Sequence, residues 1–224
     1  MRLKEIELNI IMNNCSNNKI LKINPHAINY YSLPPNWWWY RALDKRIKNI
    51  YIKKYLSSLA LGKIFYNGTW DLKSKPFDKT HWYIRVKNLK DNLDNLETSK
   101  WYQLIMKEIS LNGYYLHKKI KIKNKAETIN FFENHVISLI NSLKNRQFIQ
   151  NDFNDVPHVM IGRNGELIKS GHGCHRLAII KAFEIKCEFP IQITGVHKKF
   201  NLQSKKKLNN LEAIQNYVTD NYSL

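Results

Sequence analysis

The chain reads as an α+β protein, and three observations carry that reading. The C-terminal third alternates β-prone and helical segments around a turn of glycines. Upstream, apolar residues recur at helical spacing. The composition, 43% hydrophobic and 12% aromatic in 224 residues, is that of a chain that buries a core rather than a disordered one. Residues 1–43 read as irregular, with Pro25, Pro34 and Pro35; the Pro34-Pro35 pair forces extended backbone. The aromatic run Trp37-Trp38-Trp39-Tyr40 that follows must pack in a core or interface, or stack on bases. From Leu43 to Leu61 the residues Ile47, Ile50, Tyr51, Leu56 and Leu59 recur at helical spacing among basic residues, and Gly62 ends the helix.

Tyr66-Asn67-Gly68-Thr69-Trp70-Asp71 then reads as a turn and Lys75-Pro76-Phe77-Asp78 as a second. The spacing of Trp101, Leu104, Ile105 and Ile109 predicts a helix over 98–111, opening on Thr98. A further helix is predicted over 126–144, through Ile129, Phe132, Val136, Ile137 and Ile140. Residues 156–162 are β-prone, Arg163-Asn164-Gly165-Glu166 supplies an Asn-Gly hairpin turn, and residues 166–171 return as a strand. A helix over 174–184 and a strand over 188–196 follow. The basic tail from Lys198, through Lys205-Lys206-Lys207, has room for a last helix. The division expected is a helical and irregular region over 1–150, a small sheet-bearing core over 151–200 and a tail over 201–224.

Thirty-six Lys and Arg against 18 Asp and Glu give a formal charge of +18. That balance favours polyanionic partners: nucleic acid, nucleotides, phosphorylated substrates or an anionic surface. A chain this rich in Lys, Asn and Ile also carries the stamp of an A- and T-rich genome, which inflates lysine without depleting Asp and Glu. No apolar run approaches the ~20 residues of a membrane span. Nothing at the N-terminus reads as a signal peptide. Cys15, Cys174 and Cys187 make no disulfide framework, so a reducing, cytoplasmic setting is expected.

The densest chemistry lies in Lys169-Ser170-Gly171-His172-Gly173-Cys174-His175-Arg176, between an expected strand and an expected helix. N–H groups at a helix start attract anions, and glycines let a phosphate approach the backbone. Ser170, Gly171, His172, Gly173, Cys174, His175 and Arg176 are therefore the candidate phosphate-binding residues. Arg176 can hold two phosphate oxygens in its planar fork or pair with a carboxylate. His175 can act as acid or base or hydrogen-bond the turn, and His172 is placed to face a ligand. Cys174, in a first helical turn beside an arginine, has a setting that favours thiolate, or is a small residue packed under the loop. A zinc site from His172, Cys174, His175 and Cys187 lacks the paired spacings that zinc ligands show. His158 and His197 flank the outer strands, where they line a cleft or simply pack.

The string Gly173-Cys174-His175-Arg176 resembles the signature of the ParB/sulfiredoxin superfamily. The wider frame resembles the ParB-type pattern: Ile161 to Glu166, then Gly171-His172, His175-Arg176-Leu177-Ala178 and Pro190-Ile191. Gly68-Thr69-Trp70-Asp71, Pro76-Phe77 and Glu97-Thr98 before Trp101-Tyr102 are similar to segments of further ParB-like proteins. The resemblance implies a small mixed sheet with helices, binding of ATP, ADP or CTP at this turn and, in some relatives, nucleotide-dependent phosphorylation of a small substrate. In sulfiredoxins the matching cysteine reacts, which implies a thiol role for Cys174 as an alternative. The chain departs from partition proteins in having His172-Gly173-Cys174-His175-Arg176 in place of a Glu-Arg-Arg turn. It departs from sulfiredoxins in having Gly171-His172-Gly173 in place of Phe-Gly-Gly.

The function expected is a nucleotide-binding ParB-like protein, an ATP- or CTP-dependent phosphotransferase or hydrolase acting on a hydroxylated or glycan-type substrate. Such chemistry needs a carboxylate for Mg²⁺ or for the acceptor proton. Glu166 is the local candidate for catalysis and for the metal, and Asp71 the distant catalytic one. The alternatives are a nucleic-acid-binding protein or nuclease, motivated by the charge and the aromatic run, and a thiol enzyme using Cys174.

Overall fold

A computed structural model of the chain describes residues 19–33, 64–117, 120–145, 156–203 and 211–224. The Trp37–Tyr40 run, the helix expected over 43–61, Cys15 and Lys205–Lys207 lie outside the described residues. In chain order the elements are β1 (Leu21–Ile23), β2 (Ile28–Tyr31), β3 (Phe65–Tyr66), β4 (Lys75–Pro76), α1 (His81–Lys90), α2 (Lys100–Asn112), β5 (Tyr115–His117) and β6 (Ile120–Ile122). Then come α3 (Lys125–Phe131), α4 (Ser138–Lys144), β7 (His158–Ile161), β8 (Leu167–Ser170), α5 (Cys174–Ala182), β9 (Phe189–His197), α6 (Lys198–Gln203) and α7 (Leu211–Tyr222). The class is α+β, with helices beside a mixed sheet.

The chain forms two compact units, one from Met1–Phe77, Asn154–Gly173 and Glu188–Leu224, the other from Asp78–Phe153 and Cys174–Cys187. Neither follows a boundary at residue 150, because the sheet takes strands from both ends of the sequence.

The first unit holds a seven-stranded sheet in the order β1-β9-β7-β8-β2-β4, with β3 also on β9. β7 and β8 form an antiparallel hairpin, Ile161 opposite Leu167 and His158 opposite Ser170. β9 runs parallel to β7, and β2 runs parallel to β8. The stretch read as irregular thus contributes β1 and β2, which a three-residue Pro25 turn capped by the Asn24 side chain connects. Strands of three and four residues are too short to show a period of two, so pairing rather than local pattern makes them. Pro76 sits in β4 at the end of the strand order, where its missing N–H breaks no internal ladder.

Ile23, Ile28, Val159, Ile161, Ile168, Phe189, Ile191, Ile193 and Val196 are fully buried on this sheet. The hairpin closes through Arg163-Asn164-Gly165: Gly165 N donates to Gly162 O at 3.2 Å and Gly162 N to Glu166 O at 2.9 Å. Gly165 is left-handed (φ 89°) while Asn164 is not, so the expected Asn-Gly turn is a three-residue loop ending in a left-handed glycine rather than a two-residue one. The last helix, α7, buries Ile214 and Val218. It is tied to the sheet by Asn24 N to Tyr222 O at 2.7 Å and Tyr222 Oη to Gly165 O at 2.8 Å.

The second unit is helical, with the β5–β6 hairpin beside it. Three of its helix starts are sequence-encoded. Thr80 caps α1 and Ser99 caps α2, one residue after the expected Thr98, and Gly113 at φ 76° ends α2. Asn124 caps α3 while Glu127 reaches back to Lys123 N at 2.8 Å. The helix expected over 126–144 is α3 and α4 joined by Phe132–Ile137 in π-helical hydrogen bonding, a register change no spacing signalled. α1 lies along α5, and Lys90 Nζ donates to Ala182 O at 2.9 Å, satisfying a carbonyl of the last turn.

Candidate functional site: the glycine turn after β8

β8 delivers its chain into a turn that only glycines fit. Gly171 (φ 53°) and Gly173 (φ 86°) both occupy the left-handed region. A Cβ on Gly171 would fall 2.8 Å from His158 Nδ1, and one on Gly173 would fall 2.7 Å from the Pro157 ring. Gly171 and His172 are exposed. The two glycines of the anticipated turn are therefore set at the end of a buried strand.

Beneath the turn lies a residue the sequence reading passed over as an ordinary strand position. Lys169 has no solvent exposure. Its ammonium donates to His158 O at 2.9 Å, to Ser170 O at 2.5 Å and to His172 O. His172 O also accepts from His158 N at 3.3 Å. The signal available was a lysine in the penultimate position of an apolar strand. Strand pairing supplies the rest, since Ile168 faces Met160 and Trp70 and so sends Lys169 to the opposite side.

His158 lies edge-on to His172, ring centres 5.0 Å apart. Burial first, then the nearby charges of His172 and Lys169, lower its pKa to about 4. His158 is thus a neutral imidazole at physiological pH. Ser170, a predicted phosphate contact, is fully buried with its Oγ 3.4 Å from Thr194 Oγ1, so its hydroxyl serves the sheet.

Cys174, His175 and Arg176 open α5, in the second unit. Cys174 and Arg176 are buried. His175 stacks on Trp101 with centroids 5.9 Å apart and planes 16° from parallel, and meets His117 edge-on at 5.8 Å. Trp101 in turn packs edge-on against Phe131 and Phe132, with Arg85 over its ring. The imidazole expected as an acid or base is thus one wall of an aromatic cluster.

The two carboxylates lie elsewhere. The Asp71 side chain is fully buried and held by Arg163 through Nε to Oδ2 at 2.6 Å, Nη2 to Oδ1 at 2.8 Å and the backbone N–H at 3.1 Å. Burial pushes its carboxyl up, but the bonds from Arg163 outweigh that and hold it at about 2. His197 lies 3.7 Å away; its Nδ1 accepts from Lys199 N, and its Nε2 lies 3.0 Å from Gly68 O.

Glu166 folds back over the hairpin loop. It accepts from Asn164 N at 3.0 Å and occupies the space a side chain on Gly162 would fill. Both carboxylates sit at the loop end of the β7–β8 hairpin, whereas Gly171 sits at the other end. The five-residue step from Glu166 to Gly171 spans roughly 15 Å of strand. The structure therefore brings His158, Lys169 and Ser170 to Gly173 together, and separately Asp71, Arg163, His197 and Glu166. The expected convergence of Asp71 and Glu166 on the turn is not found. The reason is local: Arg163 and the loop amide already engage them.

Among the described residues no group of three or more His, Cys, Asp or Glu side chains is placed to hold a metal ion. Nor is any helix among them long and apolar enough to cross a membrane. Comparison with protein-family models, curated proteins and solved structures finds no match for this chain.

Proposed function

We propose that this chain binds a nucleotide, ATP, ADP or CTP, with its phosphates on the turn from Gly171 to Arg176, as the resemblance to the ParB/sulfiredoxin superfamily implies. The observation that carries the reading is the pair of left-handed glycines between a buried strand and a helix, an arrangement suited to close approach of phosphate oxygens to backbone N–H groups. Arg176 supplies the guanidinium. Glu166 does not fit a role as protein ligand to Mg²⁺ at this turn, so the ion would arrive as the nucleotide's own counter-ion, held by phosphate oxygens and water.

As a phosphotransferase toward a hydroxylated or glycan-type acceptor, the protein would use His172, the exposed imidazole of the turn, to take the acceptor proton. Cys174 is as buried as Arg176, and activity retained in Cys174→Ser is the result that separates this reading from a thiol mechanism.

Calorimetric titration with Mg·ATP, Mg·ADP and Mg·CTP tests the proposal. At least one is expected to bind, Arg176→Ala to weaken it by tenfold or more, and Cys174→Ser to change it less than threefold. Absence of binding by all three would end this reading.

A further inference from the structure

We propose that Lys169 is the positioning residue of the glycine turn: an internal ammonium that draws the turn's carbonyls inward and thereby presents the Gly173 N–H to a phosphate group. The inference rests on the phosphate-binding reading above and deepens it by naming what sets the turn.

A lysine with no solvent exposure is tolerated only where its hydrogens are satisfied. An ammonium has three hydrogens and no acceptor, and here three carbonyls, of His158, Ser170 and His172, meet it. A neutral amine has only two hydrogens and would leave one carbonyl facing its lone pair. The arrangement is thus a carbonyl cage around a cation built into the chain.

Two of its three walls belong to the turn. In a trans peptide the N–H points opposite to the C=O, so the His172 carbonyl directed at Nζ turns the Gly173 N–H away from it. The left-handed φ of Gly173 permits that peptide orientation, and Pro157 leaves no room for a side chain there. An N–H presented in this way is a donor for a phosphate oxygen. Phosphate placement on this turn is therefore expected to depend on a residue that no ligand touches.

The test is a titration of the ¹⁵N-labelled full chain with inorganic pyrophosphate, following the Gly173 amide, on the unmodified protein and on Lys169→Met. In the unmodified protein the Gly173 resonance should move saturably. In Lys169→Met, amides remote from the turn should keep their positions while pyrophosphate affinity falls at least tenfold and the Gly173 response disappears. Equal affinity and an unchanged Gly173 response in the variant would overturn the role of Lys169 while leaving phosphate binding intact. If neither pyrophosphate nor any Mg·nucleotide binds the unmodified protein, the underlying reading fails instead.

Should Lys169→Met not fold, the Lys169 Nζ resonance of the unmodified protein decides. Movement of an ammonium signal on adding pyrophosphate supports the proposal, and an unmoved signal overturns it.

Discussion

Lys169 and Asp71 are both fully buried: three carbonyls accept from Lys169, and a guanidinium clamps Asp71 in two-point geometry. The second arrangement makes a pH prediction. A carboxyl held at about 2 against an ordinary 3.8 contributes stability that is complete above pH 3.8 and lost as pH falls toward 2. At 1.36 kcal/mol per pH unit this amounts to about 2 kcal/mol. Denaturant unfolding at pH 5 and pH 2 should show that loss, and Asp71→Asn should flatten it while lowering stability at pH 7 by about 3 kcal/mol. An unchanged pH 5-to-2 difference in the variant would mean that Asp71 is not the group responsible. Neither role was legible in the sequence. Asp71 and Arg163 are 92 positions apart, and Lys169 is distinguishable from a solvated strand lysine only once the pairing of β7 with β8 fixes which face it takes.

The turn after β8 is an element whose backbone constrains its residues twice over, through its left-handed φ values and through Pro157 and His158 against the glycines. Gly173→Ala should therefore destabilise the protein by about 2 kcal/mol, combining left-handed strain with overlap on Pro157. Thermal unfolding checks this, and a change below about 0.5 kcal/mol would show that the turn relaxes freely. The run from β7 through β9 was legible because its strands are strongly apolar and its turns are marked by glycines. β1 and β2 were not, since each is shorter than two periods of its own pattern. The helix over 126–144 was legible from its spacing, but its π segment was not, because the buried Phe132, Val136 and Ile140 keep the i, i+4 spacing that an uninterrupted α-helix also shows.

For the molecule as a whole, the sheet gathers strands from the beginning, middle and end of the sequence, which is why a linear division at residues 150 and 200 does not describe it. The turn's glycines and Arg176 could be named from sequence as the phosphate site proposed above. The carboxylates could not be excluded from it until the hairpin placed them at its opposite end. The charge of +18 keeps a nucleic-acid reading in view, and its signature is separable. Contact with a polyanionic backbone should weaken tenfold or more between roughly 50 and 200 mM salt. Binding of a single nucleotide on the turn should change far less, and fluorescence anisotropy with labelled single- and double-stranded DNA and RNA distinguishes the two.

Calorimetry of Mg·nucleotide with the unmodified chain, Arg176→Ala and Glu166→Gln decides whether phosphates rest on Gly171 to Arg176 without help from the distant carboxylates. Saturable binding of at least one nucleotide is expected, weakened tenfold or more by Arg176→Ala and kept within threefold by Glu166→Gln. No binding of any nucleotide, or binding that survives Arg176→Ala and is lost in Glu166→Gln, would contradict it.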